Sequence, residues 1–202
     1  MATGKDNDKN QLYPVFLKLE QLNILLVGAG NVGLEKLNSL LSNSPGARIT
    51  IVAPVVKKEI KELLLNHPAC TLTERSFEIG DMENRELIFL ATDNPGLHAD
   101  IKKLASAKGI LVNVADTPEL CDFYLGSIVQ KGSLKIAIST NGKSPTIAKR
   151  IKELLNDIFP DEVDELLDNM ETIRNGMKGS FQDKIRQLNE LTNSLVAENS
   201  SL

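Results

Sequence analysis

From residue 15 onward, short unbroken apolar runs alternate with apolar positions spaced three and four apart. Residues 23–27 (Asn-Ile-Leu-Leu-Val) form such a run, as expected of a parallel strand buried on both faces. Leu34, Leu37, Leu40 and Leu41 follow at helical spacing, and Ser44-Pro45-Gly46 predicts the stop. Further strands are predicted over 48–52, 70–73, 87–91 and 110–114. The intervening helices are predicted over 56–65, which His67-Pro68 breaks, and around Leu97, Ile101, Leu104 and Ala105, which Gly109 ends. This alternation predicts an α/β fold, a parallel sheet covered by helices on both faces.

The rhythm then changes. Two β runs, 127–130 and 134–140, flank Lys131-Gly132-Ser133, which predicts an antiparallel hairpin. Ser144-Pro145 reads as an N-cap followed by Pro at the first helical position. Ile147, Ile151, Leu154, Leu155 and Ile158 continue that helix to Pro160. Two more helical stripes follow, Val163 to Ile173 and Phe181 to Leu195. The polar stretch 1–10 and the Ser-Asn tail after Val196 are expected to be loose ends.

Composition narrows the function classes. The 202 residues are 42% hydrophobic and 25% charged, an ordinary globular balance. No apolar run is long enough to span a bilayer, and no secretory h-region opens the chain, so a reducing cytoplasm is the expected compartment. The net charge of -4 and the 4% aromatic content, with no Trp, argue against a nucleic-acid partner. Cys70 and Cys121 imply nothing about disulfides. His67 and His98 are isolated, and no metal site is expected.

The sharpest chemical signal is Gly28-Ala29-Gly30-Asn31-Val32-Gly33, a G-x-G-x-x-G directly after a predicted strand and before a predicted helix. Gly28 permits the tight turn, Gly30 lets a pyrophosphate approach, and Gly33 lets helix and strand pack closely. The helix N-terminus offers free N–H groups to phosphates. The acidic residue that would bind the adenine ribose is missing, because the second strand is expected to end Val52-Ala53-Pro54. Lys57-Lys58 reads either as a 2′-phosphate site or as a solvated helix face. Thr92 and Asp93, after the fourth strand, either touch the cofactor or cap the helix near Pro95. Asp116, beyond the fifth strand, is either a proton acceptor or a cap for the Pro118 turn.

Taken in order, the glycine motif, Ala91-Thr92-Asp93, Asn113-Val114-Ala115-Asp116 and Ser139-Thr140-Asn141-Gly142-Lys143-Ser144-Pro145 resemble the precorrin-2 dehydrogenase family, which also forms the first part of siroheme synthases. The resemblance covers roughly residues 13–155. The family pattern has Gly-Gly where this chain has Asn141-Gly142, a departure that keeps a tight turn available.

That resemblance implies NAD as cofactor, precorrin-2 as substrate, sirohydrochlorin as product and a homodimer. In some members it implies Fe²⁺ insertion as well. It places the essential aspartate on Asp116 and implies NAD contacts at Gly28, Gly30, Asn31, Val32, Gly33, Ala53, Pro54, Thr92, Asp93, Asn113 and Val114. Ser139, Thr140, Asn141, Gly142, Lys143 and Ser144 are the donors expected to meet the carboxylate-rich tetrapyrrole. The expected division is a Rossmann domain over 12–115, a dimerisation and substrate segment over 116–145, and a helical domain over 146–202. Two other readings compete: a chelatase that keeps the nucleotide fold as scaffold, and a non-catalytic NAD-sensing dimer.

Overall fold

The structure is a computed structural model that describes residues 10–193. The expected loose ends, residues 1–9 and the tail after Val196, lie outside the described residues, as does Leu195. The chain divides into two compact units, one of Tyr13–Leu125 and one built from Gly126 onward with residues that precede Tyr13.

In the first unit the elements are β1 (Asn23–Ala29), α1 (Asn31–Asn43), β2 (Arg48–Val56), α2 (Lys58–Leu64), β3 (Thr71–Thr73), β4 (Leu87–Leu90), α3 (Pro95–Lys108) and β5 (Leu111–Val114). All five strands are parallel, in the order β3-β2-β1-β4-β5. The order reverses between β1 and β4, where doubly wound sheets open a crevice at their carboxyl edge.

The apolar run of β1 is explained by its two faces. Ile24 and Leu26 join Leu37, Leu40 and Leu41 of α1 and Ile60 of α2 in one buried cluster. Leu25 and Val27 join Ile101 and Ala105 of α3 in the other. With helices on both faces, successive residues of β1 from Ile24 to Ala29 are all buried, so its sequence shows no alternation. Each such Leu or Ile contributes about 1.5–3 kcal/mol on leaving water.

One sequence expectation changes here. β2 does not end at Val52 but runs to Val56, because Ala29 pairs with Val56 across a bulge after Val27 and the Lys57 N–H donates to the Ala29 carbonyl at 3.1 Å. Pro54 lies inside the strand at that irregularity, where no ladder donor is needed. A 3-10 turn over Ile79–Met82, which periodicity does not signal, is held by the two-pronged Arg75–Asp81 pair at 2.7 and 2.8 Å.

Residues 116–125 belong to the same unit as the sheet. The Asp122 N–H donates to the Val112 carbonyl and the Asp122 carboxylate accepts from the Val112 N–H, both at 2.8 Å, so the segment covers the free edge of β5. Lys102 of α3 pairs with the same carboxylate.

The second unit contains the antiparallel hairpin β6 (Ser127–Lys131) and β7 (Leu134–Ile138), then α4 (Pro145–Ile158), α5 (Val163–Gly176) and α6 (Phe181–Thr192). Gly132 opens the two-residue turn at φ +51°, and a side chain there would collide with Asp164. The Ser133 N–H donates to Asp164 Oδ1 at 2.7 Å, and Lys131 donates to Asp161 at 2.6 Å, so α5 and the residues before it clamp the turn. Val129 and Ala148 are buried, whereas Ile147, Ile151, Leu154 and Ile158 leave the other stripe of α4 exposed. Among the described residues no helix is long and apolar enough to cross a membrane.

Ser144 is the N-cap of α4, its Oγ accepting from the Ile147 N–H at 3.2 Å with Pro145 next. Ser144→Ala is therefore expected to cost about 1 kcal/mol, read as a lower urea midpoint at unchanged slope.

Candidate functional site

The glycine loop occupies the carboxyl end of β1. Gly28 sits at φ +105°, and a Cβ on it would lie 2.2 Å from the Ala91 carbonyl oxygen. The loop and the end of β4 thus meet backbone to backbone. A Cβ on Gly33 would lie 2.3 Å from the Gly28 carbonyl oxygen, so α1 starts pressed against the turn. Gly30 differs, since a Cβ there would meet nothing within 4 Å. Gly30 is also the N-cap of α1, and no side chain caps the helix. Open space above uncapped N–H groups at a positive helix end is what a dinucleotide diphosphate requires, so these residues fit that group. Asn31 and Val32 flank the opening and are exposed.

Lys57 does not lie on a solvated helix face. It is the N-cap residue of α2, and its Nζ donates to Asn31 Oδ1 of the glycine loop at 2.8 Å and pairs with Glu59 at 3.3 Å. Lys58 is 87% exposed and pairs with Glu62, which matches the solvated reading. Ala53 is buried and Pro54 exposed within β2, opposite the Gly28 turn.

At the end of β4, the cap of α3 is neither Thr92 nor Asp93. Asn94 is the N-cap, its side chain accepting from the Leu97 N–H at 3.0 Å. The expected capping role is corrected to Asn94, because the helix begins at Pro95 and the cap is the residue before it. Thr92 is turned instead to His98, its Oγ1 sharing a hydrogen bond with Nε2 at 2.8 Å. Asp93 is exposed. His98 is only 4% exposed, and this pairing is invisible to sequence spacing.

Burial holds the His98 imidazole below its ordinary 6.5, and the Asp93 carboxylate opposes that in part. The unfolded chain therefore binds the proton more readily. Its contribution to stability is complete above pH 6.5 and is lost as pH falls through the lower folded value. Thermal midpoints from pH 8 to 5 are expected to fall more steeply for wild type than for His98→Asn.

At the end of β5, Asn113 is 5% exposed. Its Oδ1 accepts from Lys36 Nζ of α1 at 2.7 Å, and its Nδ2 donates to the Phe123 carbonyl at 2.9 Å. Val114 is buried, and the Cys121 Sγ bridges both its N–H and its carbonyl at 3.2 Å. The Thr117 carbonyl lies 3.5 Å from the same Sγ, a second, longer acceptor for its one proton. These bonds close the loop that carries Asp116. Asp116 itself is exposed, at φ +56°, in the left-handed region. The Pro118 turn has Thr117 as its N-cap and no side-chain cap, so the structure gives Asp116 no capping role. Since β1, β4 and β5 are parallel, the glycine loop, Thr92 and Asp116 share one edge of the sheet.

The loop 139–144 belongs to the second unit. Thr140 Oγ1 accepts from the Ser144 N–H at 3.3 Å and donates to the Ser144 carbonyl at 3.1 Å. The Lys143 N–H donates to the Thr140 carbonyl at 3.0 Å. Asn141 and Gly142 are both at positive φ, +53° and +74°, a conformation Asn and Gly adopt readily. Ser139, Asn141 and Lys143 are exposed. Ser139 Oγ accepts from Asn10 at 3.3 Å and from the Asn141 N–H at 3.2 Å. Among the described residues, no three His, Cys, Asp or Glu side chains gather as a metal-ligand set.

Known proteins share these features. A family model described as NAD(P)-binding matches residues 15–127, and one described as sirohaem biosynthesis protein central matches residues 131–157. The siroheme synthase of Pseudoalteromonas atlantica is 36% identical over 171 residues, 85% of this chain and 36% of that protein. The siroheme synthase of Nitrosomonas europaea is 33% identical over 174 residues, 86% of this chain and 34% of that protein. The chain thus spans about a third of the length of the curated relatives it matches. A solved structure of SirC, precorrin-2 dehydrogenase, superposes with a TM-score of 0.70 at 26% identity, covering 93% of this chain and 94% of that one. Glycine turn, sheet order and sequence agree, and the chain belongs to the NAD(P)-binding family of that model, as a relative of siroheme synthases and of a precorrin-2 dehydrogenase.

Proposed function

We propose that this chain oxidises precorrin-2 to sirohydrochlorin with NAD⁺ in siroheme biosynthesis, as a cytoplasmic homodimer. The observation that carries the reading is the shared sheet edge, where an open dinucleotide cradle at Gly30 and an exposed carboxylate at Asp116 are presented together. The precorrin-2 dehydrogenase match over 93% of the chain supports the same substrate.

NAD⁺, when bound, supplies the acceptor for the hydride that leaves a macrocycle carbon. Gly28, Gly30 and Gly33 would shape its cradle, the N–H groups of Asn31 and Val32 would receive its diphosphate, and Ala53, Pro54, Thr92, Asp93, Asn113 and Val114 at the neighbouring strand ends would hold the rest. Asp116 accepts the proton that the macrocycle releases as the hydride departs. Positioning contributes most of the acceleration, since the oxidant needs no further activation.

Ser139, Thr140, Asn141, Gly142, Lys143 and Ser144 supply hydroxyl, amide and ammonium donors for substrate carboxylates. The hairpin and the helices α4, α5 and α6 behind it form the dimer contact, a role supported by the exposed Ile147, Ile151, Leu154 and Ile158 stripe of α4.

The test is anaerobic. Purified protein is mixed with precorrin-2 and NAD⁺, and NADH and sirohydrochlorin absorbance are followed together. Coupled growth of both is expected, and Fe²⁺ is then added to look for siroheme. No NADH, with folded protein and intact precorrin-2, overturns the dehydrogenase reading.

A further inference from the structure

Lys57 and Lys58 are adjacent in the chain and differ in the fold. The Lys58 side chain is 87% exposed and the Lys57 side chain 34%. The Lys57 N–H donates to the Ala29 carbonyl at 3.1 Å, and its Nζ donates to Asn31 Oδ1 at 2.8 Å. One residue thus reaches both chain neighbours of Gly30, the open point of the glycine loop. Among the described residues, Glu59 is the carboxylate paired with this amine, at 3.3 Å.

The place matters because of how a dinucleotide lies on a sheet of this order. Its diphosphate sits at the start of α1. Its adenine ribose lies over the carboxyl end of β2, where an acidic side chain takes the 2′-hydroxyl or a cation takes a 2′-phosphate. Residues 49–56 of β2 carry no charged side chain. The pairing of Ala29 with Val56 brings the end of β2 level with the glycine turn. The first charge after that strand end is therefore the Lys57 ammonium, and it is hydrogen-bonded to the loop itself.

We infer that Lys57 marks a 2′-phosphate subsite, so that this cradle takes the 2′-phosphorylated dinucleotide, NADP⁺, as well as NAD⁺. The inference rests on the dinucleotide reading of this sheet edge and extends it to the ribose end. An ammonium carries three protons, of which Asn31 and Glu59 engage two. Asn31 holds the amine on the loop. The Glu59 contact is long for a charged pair and its side chain is 55% exposed, so Glu59 yields to a phosphate at little cost. With NAD⁺, which has a hydroxyl there, the Lys57–Glu59 pair stays as it is.

Calorimetric titration of the full chain with NAD⁺ and with NADP⁺ tests this, the ratio of the two Kd values being the readout. In wild type NADP⁺ is expected to bind within about tenfold of NAD⁺. Lys57→Met is expected to shift the ratio about 10- to 100-fold against NADP⁺, the worth of one charge-assisted hydrogen bond, and Lys57→Arg to restore most of it. Glu59→Gln is expected to shift it about 3- to 10-fold the other way, because the competing anion is gone. That variant keeps the test open should Lys57→Met fail to fold. Equal losses of both dinucleotides in Lys57→Met would show a lysine that merely supports the loop through Asn31, and would overturn the subsite. NAD⁺ bound and NADP⁺ more than tenfold weaker in wild type discards the 2′-phosphate subsite alone. Neither dinucleotide bound by folded wild type discards the cradle reading, and the subsite with it.

Discussion

Asp116→Asn is expected to reduce precorrin-2 oxidation by about 100- to 10,000-fold while the protein folds and binds NAD⁺ as before. Asn has nearly the shape of Asp and is among the few residues that tolerate the left-handed region, where this position sits at φ +56°. The substitution therefore leaves the backbone unstrained. The loop is held by Cys121 on Val114 and by Asp122 on Val112, none of which involves the Asp116 side chain. What is lost is a basic oxygen. NADH formation under anaerobic conditions and NAD⁺ titration by calorimetry separate the two properties. If NAD⁺ binding disappears in a folded variant, Asp116 holds the cofactor rather than the proton.

Two glycines two residues apart are expected to fail in opposite ways. Gly28→Ala places a methyl 2.2 Å from the Ala91 carbonyl oxygen, on a residue already at φ +105°. Backbone strain and overpacking together cost about 2–6 kcal/mol. Since β1 and β4 are central strands, the whole unit is expected to lose stability, on the order of 10 °C in thermal midpoint. Gly30→Asp meets nothing within 4 Å and needs no unusual φ, so the midpoint is expected to stay within roughly 1–2 °C. Its carboxylate would stand at the mouth of the cradle and repel the diphosphate, weakening NAD⁺ about a hundredfold or more. Unchanged affinity in Gly30→Asp would remove the phosphate cradle from this loop. A fully stable Gly28→Ala would show that β1 and β4 can separate without cost.

Much of the first unit was legible because its local and global preferences agree. The unbroken run of β1, the leucines of α1 and the glycine motif between them all point to one βαβ unit. The hairpin and the Ser144 cap were legible for the same reason, since turn and cap chemistry depend on residues close in sequence. The end of β2 was not. Ala53-Pro54 reads as a stop, yet pairing of Val56 with Ala29 carries the strand through it. Long-range hydrogen bonds override a local breaker there.

The site divides the same way. Its phosphate loop is contiguous, so spacing alone exposes it. Its polar supports are not contiguous. Lys36 meets Asn113 across 77 positions, Lys57 meets Asn31 across 26, and His98 meets Thr92 only because α3 folds back over β4. Lys36 resembles any helix lysine in sequence, and His98 resembles any helix histidine. The sequence by itself determined the fold class, the dinucleotide turn and the place of Asp116 after the fifth strand, because each follows from period, glycine spacing or order along the chain. Only the tertiary structure decided which side chains turn inward to close the loop that carries that aspartate and to meet that threonine. Burial and hydrogen-bond partnership are properties of strands brought side by side, and they leave no period in the chain.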